Sequence, residues 1–215
     1  MTQPSTNGGT PASSGRTPAQ GNRLDPWYDV YADRAHNLRA SEIRALFSVV
    51  SRPEVVSLAG GMPNLKDLPL DRLAASAEKL IRNHGAQAMQ YGSGQGWEVL
   101  RERITEVMSY DGIVGADPDD VVVTTGSQQA LDLVTELFVN PGDVILAEAP
   151  SYVGALGVFR ARQADVVHVP MDENGIIPEA LVETIRDVRS SGRTIKFIYI
   201  IPNYHNPGGV TLSAD

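Results

Sequence analysis

The stretch "VVVTTGSQQALDLVTELFVNPGDVILAEAP", residues 121–150, decides the fold. "VVVTTG" is a β-branched run that reads as a strand, and "SQQALDLVTELFV" spaces its apolar residues as a helix. "PGD" is a turn, and "VILAEAP" is a second apolar run of strand length. The rhythm continues: "SYVGALGVFRARQ" reads as a helix, "DVVHVPM" as a strand, "PEALVETIRDVRSSG" as a helix and "TIKFIYIIP" as a strand. Continuous apolar strands alternating with helices are covered on both faces. The expectation is an α/β fold in three layers, α/β/α, around a mostly parallel sheet, preceded by a helical N-terminal segment.

Working outward, residues 96–110 contain "WEVLRERITEVM" and read as a helix, and residues 71–84 read as another, closed by Gly85. "EVVSLAGGMPN" is a short strand ending in a Gly-Gly-x-Pro turn. "SEIRALFSVVS" sets Ile43, Leu46, Phe47 and Val50 on one helical face, with Ser41 its candidate N-cap. Residues 1–25 are almost all Ser, Thr, Gly, Pro, Asn and Gln, too polar to offset chain entropy, and read as a disordered tail. With a boundary in "DGIVGADPDD", the chain divides into the tail 1–25, a helical segment 26–115 and an α/β part 116–215.

Composition narrows the function. The 215 residues are 42% hydrophobic and 20% charged, with a net charge of -8 and no Lys/Arg cluster, which argues against nucleic acid. No cysteine is present, so disulfides, thiolate catalysis and Cys-ligated zinc are excluded. No apolar run approaches membrane-spanning length and no apolar leader core opens the chain, so it reads as soluble and cytoplasmic. The four histidines show no metal spacing.

Candidate site residues cluster at strand ends. In "TTGSQQAL" the N–H groups of Ser127, Gln128 and Gln129 open a helix, a natural anion cradle, and the Ser127 hydroxyl either caps the helix or meets a phosphate. Tyr152 lies just past the strand ending at Pro150, where an aromatic either stacks on a flat ligand or packs. Asn206, in "IPNYHNPGG", follows another strand end and offers a donor and an acceptor, or serves only the turn. Gly92, Gly94 and Gly96 follow no buried strand and lack the dinucleotide spacing, so they read as a loop presenting Tyr91, whose other reading is half-buried packing.

"VSLAGGMPN", "QYGSGQGWEVLRE", "VVVTTGSQQALDL", "VILAEAPSYVGAL" and "FIYIIPNYHNPGGVTLS" occur in the order and spacing of a known family. From about Leu38 to Ser213 the chain resembles the N-terminal half of a fold-type I, class I/II pyridoxal-phosphate aminotransferase. It is most similar to the 2-aminoadipate/kynurenine aminotransferase group, which shares its fold with the effector domains of MocR-type regulators. The resemblance implies pyridoxal 5'-phosphate as cofactor and an L-amino acid and a 2-oxo acid as substrates. Residues 116–215 then form the first half of a cofactor-binding large domain, and residues 26–115 an arm serving a small domain and a dimer interface. It implies that Ser127 and Gln128 hold the cofactor phosphate, that Tyr152 stacks on its ring and that Asn206 bonds its phenolic oxygen. Tyr91 is implied to reach the phosphate in the neighbouring subunit of a homodimer. Gly61 is implied to lie close to the substrate carboxylate, and Arg44 to recognise an acidic side chain or else to be a solvated edge charge, with Ser41 beside it.

The sequence departs from the family pattern. Gly208 stands where the family's Asn-Pro-Thr-Gly turn has Thr, which is expected to loosen the turn, and His205 is assigned no role. The lysines, Lys66, Lys79 and Lys196, lack the family's Ser-x-Lys setting. A chain without that lysine is expected to be inactive alone, to bind cofactor weakly if at all, and to expose an unpaired sheet edge. Two other readings stand beside the enzyme: a cofactor-sensing regulator domain, which wants a basic DNA-binding domain ahead of residue 40, and a shortened, non-catalytic protein.

Overall fold

The computed structural model describes residues 25–36, 55 and 65–214, which fall in two compact units, 1–38 and 39–215. The first unit shows a 3-10 turn over Tyr28–Val30 and a single helical turn, α1 (Asp33–His36). Asp25 Oδ1 organises it, accepting from the Trp27 N–H at 3.1 Å and the Tyr31 hydroxyl at 3.2 Å. Residues 1–24 of the tail read over 1–25, the helix carrying Ile43 and, Val55 apart, the strand ahead of Gly61 lie outside the described residues.

The second unit is α/β. Its strands are β1 (Val144–Ala149), β2 (Asp165–Asp172), β3 (Gly175–Ile176) and β4 (Ile195–Tyr199). Its helices are α2 (Leu70–Ala88), α3 (Glu98–Tyr110), α4 (Gly126–Phe138), α5 (Val153–Ala161) and α6 (Pro178–Ser190). The sheet order is β3-β2-β1-β4. β1 is parallel to both neighbours, with Ala147 opposite His168 on β2 and Tyr199 on β4, and only β3 runs antiparallel.

The central position of β1 follows from its side chains. Val144, Ile145, Leu146 and Ala147 are all 0% exposed. Strand side chains alternate between faces. Val144 and Leu146 join Val169 of β2 and Val188, Leu181 and Ile185 of α6. Ile145 joins Ala155, Val158 and Phe159 of α5 and Leu131 of α4 on the other side. Two helical layers therefore sandwich the sheet, and each such side chain removed from water contributes about 1.5–3 kcal/mol. The α6 helix starts on Pro178, whose missing N–H would be unpaired there anyway, and carries Glu179 in its first turn and Arg189 in its last, both favourable to the helix dipole.

Arg162 fastens α5 to α4. Its guanidinium donates to both Asp132 carboxylate oxygens at 2.9 and 2.8 Å and to Glu136 at 3.0 Å. The Arg162 hydrogen bond holds the Asp132 carboxyl below its ordinary range, against the opposing effect of desolvation.

Three expectations need correction, and one strand goes unread in the sequence. Residues 121–125 form no strand: the Val123 N–H donates to the Gln95 carbonyl at 2.8 Å rather than to a sheet neighbour. Helix α2 does not end at Gly85. It breaks its helical angles at His84 (φ -137°, ψ 19°), then completes another turn, closed by the Met89 N–H on the Gly85 carbonyl at 3.0 Å. Helix α3 begins at Glu98, because residues 91–96 form a loop fixed by the Ser93 hydroxyl on the Gly96 carbonyl at 2.7 Å. The short β3 was missed, since two residues carry no periodic signal.

Candidate functional site

The site is built where β1 and β4 end and α4 begins. The chain enters α4 through Gly126, whose φ of +75° favours glycine. The helix starts at Gly126 and not at Ser127, so Ser127 sits inside the first turn and is not the cap. The Thr125 N–H is taken by the Gln129 side chain at 2.5 Å, and Gln128 Nε2 donates to the Gly154 carbonyl at 3.3 Å. The first turn of α4 thus presents backbone N–H groups that no intrahelical carbonyl can reach, with the Ser127 hydroxyl beside them.

Strand β1 leads through Pro150 and Ser151 to Tyr152, which precedes α5. Tyr152 is half-buried and packs against the Ile145–Phe159 cluster. Strand β4 leads through Ile201 to the turn carrying Asn206, which is exposed. Both loops contain a cis peptide bond, Ala149–Pro150 and Asn206–Pro207. Ser127, Tyr152, Asn206 and Ile201 line one open cleft of about 850 Å³, walled by Leu131, Phe159, Phe197 and Tyr199. The arrangement offers anion-binding donors, an aromatic face and an amide over an apolar wall. Burial, followed by the fields of Tyr152 and Glu148, raises the Tyr199 phenol above its ordinary value.

Beneath the cleft lies a pair that sequence reasoning missed. Glu148, 2% exposed, and His205, also 2% exposed, approach to 3.1 Å between Oε2 and Nε2. Glu148 Oε2 also accepts from the Ile201 N–H at 2.9 Å, and its carbonyl accepts from the Ser151 hydroxyl. A signal existed: Glu148 is a carboxylate inside an apolar strand run, and a buried charge requires partners. The turn is also not loosened at Gly208. The Gly208 N–H donates to His205 Nδ1 at 3.0 Å, and a Cβ there would lie 2.9 Å from the same nitrogen.

The remaining candidates lie elsewhere. Tyr91 is 99% exposed, so its ring is not packed among the described residues, and it borders a separate hollow with Trp97 and Arg101. Arg44, Gly61 and Ser41 lie outside the described residues. Lys196 borders the cleft, but its ammonium lies 3.2 Å from Asp143, which precedes β1 at the opposite end of the strands from Asn206.

Comparison with known proteins agrees with this geometry. The model of the family "Aminotransferase class I and II" matches residues 53–215, and the chain belongs to that family. It is 37% identical over 183 residues to aromatic-amino-acid aminotransferase 1 of Thermococcus litoralis, covering 85% of this chain and 44% of that protein. It is likewise 37% identical over 186 residues to 2-aminoadipate transaminase of Thermus thermophilus, covering 86% and 44%. Among solved structures, kynurenine aminotransferase of Pyrococcus horikoshii, in complex with PMP, KYN as substrate and KYA as product, superposes with a TM-score of 0.81. That match has 34% identity and covers 90% of this chain and 48% of that one. The chain therefore spans less than half the length of these relatives.

Proposed function

We propose that this chain carries the cofactor cradle of a pyridoxal-phosphate aminotransferase, which moves an amino group from an L-amino acid to a 2-oxo acid such as 2-oxoglutarate. The observation that carries the reading is the convergence of Ser127, Tyr152 and Asn206, from the start of α4, the β1–α5 loop and the turn after β4, on one cleft. Those residues fit the group. The first-turn N–H donors of α4 that no intrahelical carbonyl reaches, and the Ser127 hydroxyl, suit a phosphate, with Gln128 beside them. The Tyr152 ring supplies a stacking face, and the Asn206 amide supplies a donor for a phenolic oxygen. When bound, the cofactor acts as an electron sink for chemistry at the substrate's α-carbon.

This chain's own residues bind and orient. Ser127 and the first turn of α4 fix the anionic end, Tyr152 fixes the ring plane, and Asn206 fixes the in-plane rotation. The apolar wall of Leu131, Phe159 and Phe197 keeps water from one side. Tyr91, fully exposed, is assigned to the cofactor of a second subunit, which makes the assembly a homodimer. Arg44, Ser41 and Gly61 are assigned to the substrate side, and the enzyme is placed in the cytoplasm. Among the described helices none is long and apolar enough to cross a membrane.

The present chain is proposed to bind the cofactor reversibly and weakly and to be inactive alone, because Lys196 is committed to Asp143 and neither Lys66 nor Lys79 borders the cleft. Pyridoxamine 5'-phosphate, which needs no lysine, is the probe. Equilibrium dialysis against the native chain and against Ser127→Ala and Asn206→Ala is expected to show binding that each substitution weakens. Equal binding to all three would remove the cradle assignment.

A further inference from the structure

We infer that Glu148 and His205 are positioning residues, a buried carboxylate–imidazole pair that locks the loop carrying Tyr152 to the turn carrying Asn206. The inference rests on the cofactor reading above. Neither side chain lines the cleft, and both are almost completely enclosed, at 3% and 1% side-chain exposure. Each instead precedes a residue of the cradle, Glu148 by a short loop and His205 by one position.

The connections run both ways. From Glu148, the carbonyl accepts from the Ser151 hydroxyl, next to Tyr152, while the carboxylate accepts from the Ile201 N–H as the chain leaves β4. From His205, Nε2 faces that same carboxylate and Nδ1 accepts from the Gly208 N–H. The His205 backbone closes the turn, its N–H donating to Val210 at 2.8 Å and its carbonyl accepting from Gly209 at 2.6 Å. Because Nδ1 accepts, the ring proton belongs on Nε2, toward Glu148. Asn206 is therefore held in a turn wound around an imidazole, and that imidazole's Nε2 sits 3.1 Å from the carboxylate on the strand that delivers Tyr152, in contact with it but off the hydrogen-bond direction. A group that only filled space would leave the Gly208 N–H without its acceptor and the buried carboxylate with the Ile201 N–H alone.

The test uses Glu148→Gln, His205→Gln, His205→Phe and the double variant Glu148→Gln/His205→Phe in the full chain, each checked for folding by thermal unfolding. Amide signals are compared without ligand. In His205→Phe the Ser151 and Tyr152 amides are expected to move together with those of Ile201 and Gly208. Exchange protection at Ile201 and Gly208 should fall about tenfold or more. His205→Gln, which restores a donor toward Glu148, should regain part of both effects. Affinity for pyridoxamine 5'-phosphate should fall about tenfold in Glu148→Gln and in His205→Phe, with the double variant no worse than either, as expected for one coupled unit. Changes confined to residues 203–210, with Ser151 and Tyr152 unmoved, overturn the inference, as do additive losses in the double variant. Coupled amide movement in a native chain that does not bind pyridoxamine 5'-phosphate overturns the cofactor reading and leaves the lock itself supported. If His205→Phe fails to fold, the smaller Glu148→Gln change decides by the same amides.

Discussion

The Tyr152 ring lies against Gly154: a Cβ at position 154 would come within 2.5 Å of the tyrosine Cζ and 2.6 Å of its hydroxyl oxygen. The ring's place at the rim of the cleft therefore depends on a missing side chain two residues on. Gly154→Ala raises intrinsic helix propensity, a change that ordinarily adds about 0.5–1 kcal/mol of stability. Here the methyl displaces the ring. We predict no gain in melting temperature and an affinity for pyridoxamine 5'-phosphate reduced about tenfold, or ~1.4 kcal/mol. A more stable variant with unchanged affinity would show that the ring has no fixed place.

The α4–α5 clasp should be visible in the acid limb of stability. The Asp132 carboxyl is depressed mainly by its hydrogen bonds from Arg162. A carboxyl lowered in the folded state adds stability that is fully present above its unfolded value, and that stability is lost as pH falls through the lower folded value. The pair is partly exposed, at 29% and 45%, so its contribution is kept to about 1 kcal/mol or less. Arg162→Gln should lower the melting temperature by about 2–4 °C near neutrality. The gap to native should close as pH drops below the ordinary carboxylate range. A gap that stays constant into strong acid would assign the loss to packing of the arginine stem instead.

Leu146 tests the three-layer core. It is 0% exposed at the centre of β1 and packs with Val169 and Val188. Leu146→Ala should destabilise by about 2–5 kcal/mol, read as a lower urea midpoint. Val182, 55% exposed on α6, is the control, and Val182→Ala should change the midpoint little. Equal effects at the two positions would contradict the assigned core.

These expectations also show what the chain declares locally. Strands β1, β2 and β4 were legible because each is a short apolar run between turn residues, although only β1 is buried on both faces while β2 and β4 keep exposed positions. Residues 121–125 carry the same β-branched signature, yet strand formation needs a neighbour, and Val123 is instead engaged by the Gln95 carbonyl. Tyr152 and Asn206 could be singled out because position beyond a parallel strand's carboxyl end is itself informative, and Ser127 because it opens a helix. Glu148 and His205 could not be joined, since a tertiary pair between distant segments leaves no periodic trace. For the same reason Gly208 read as slack in the turn, whereas its N–H and its lack of a Cβ serve the His205 ring.

The central claim is that the cleft at the ends of β1 and β4 is a cofactor cradle. The most direct measurement is a titration of the isotopically labelled chain with pyridoxamine 5'-phosphate, followed residue by residue by NMR. The account predicts saturable shifts that map together onto the Ser127–Gln129 amides, Tyr152 and the Asn206 side-chain amide. The absence of saturable shifts at Ser127, Tyr152 and Asn206 would contradict it.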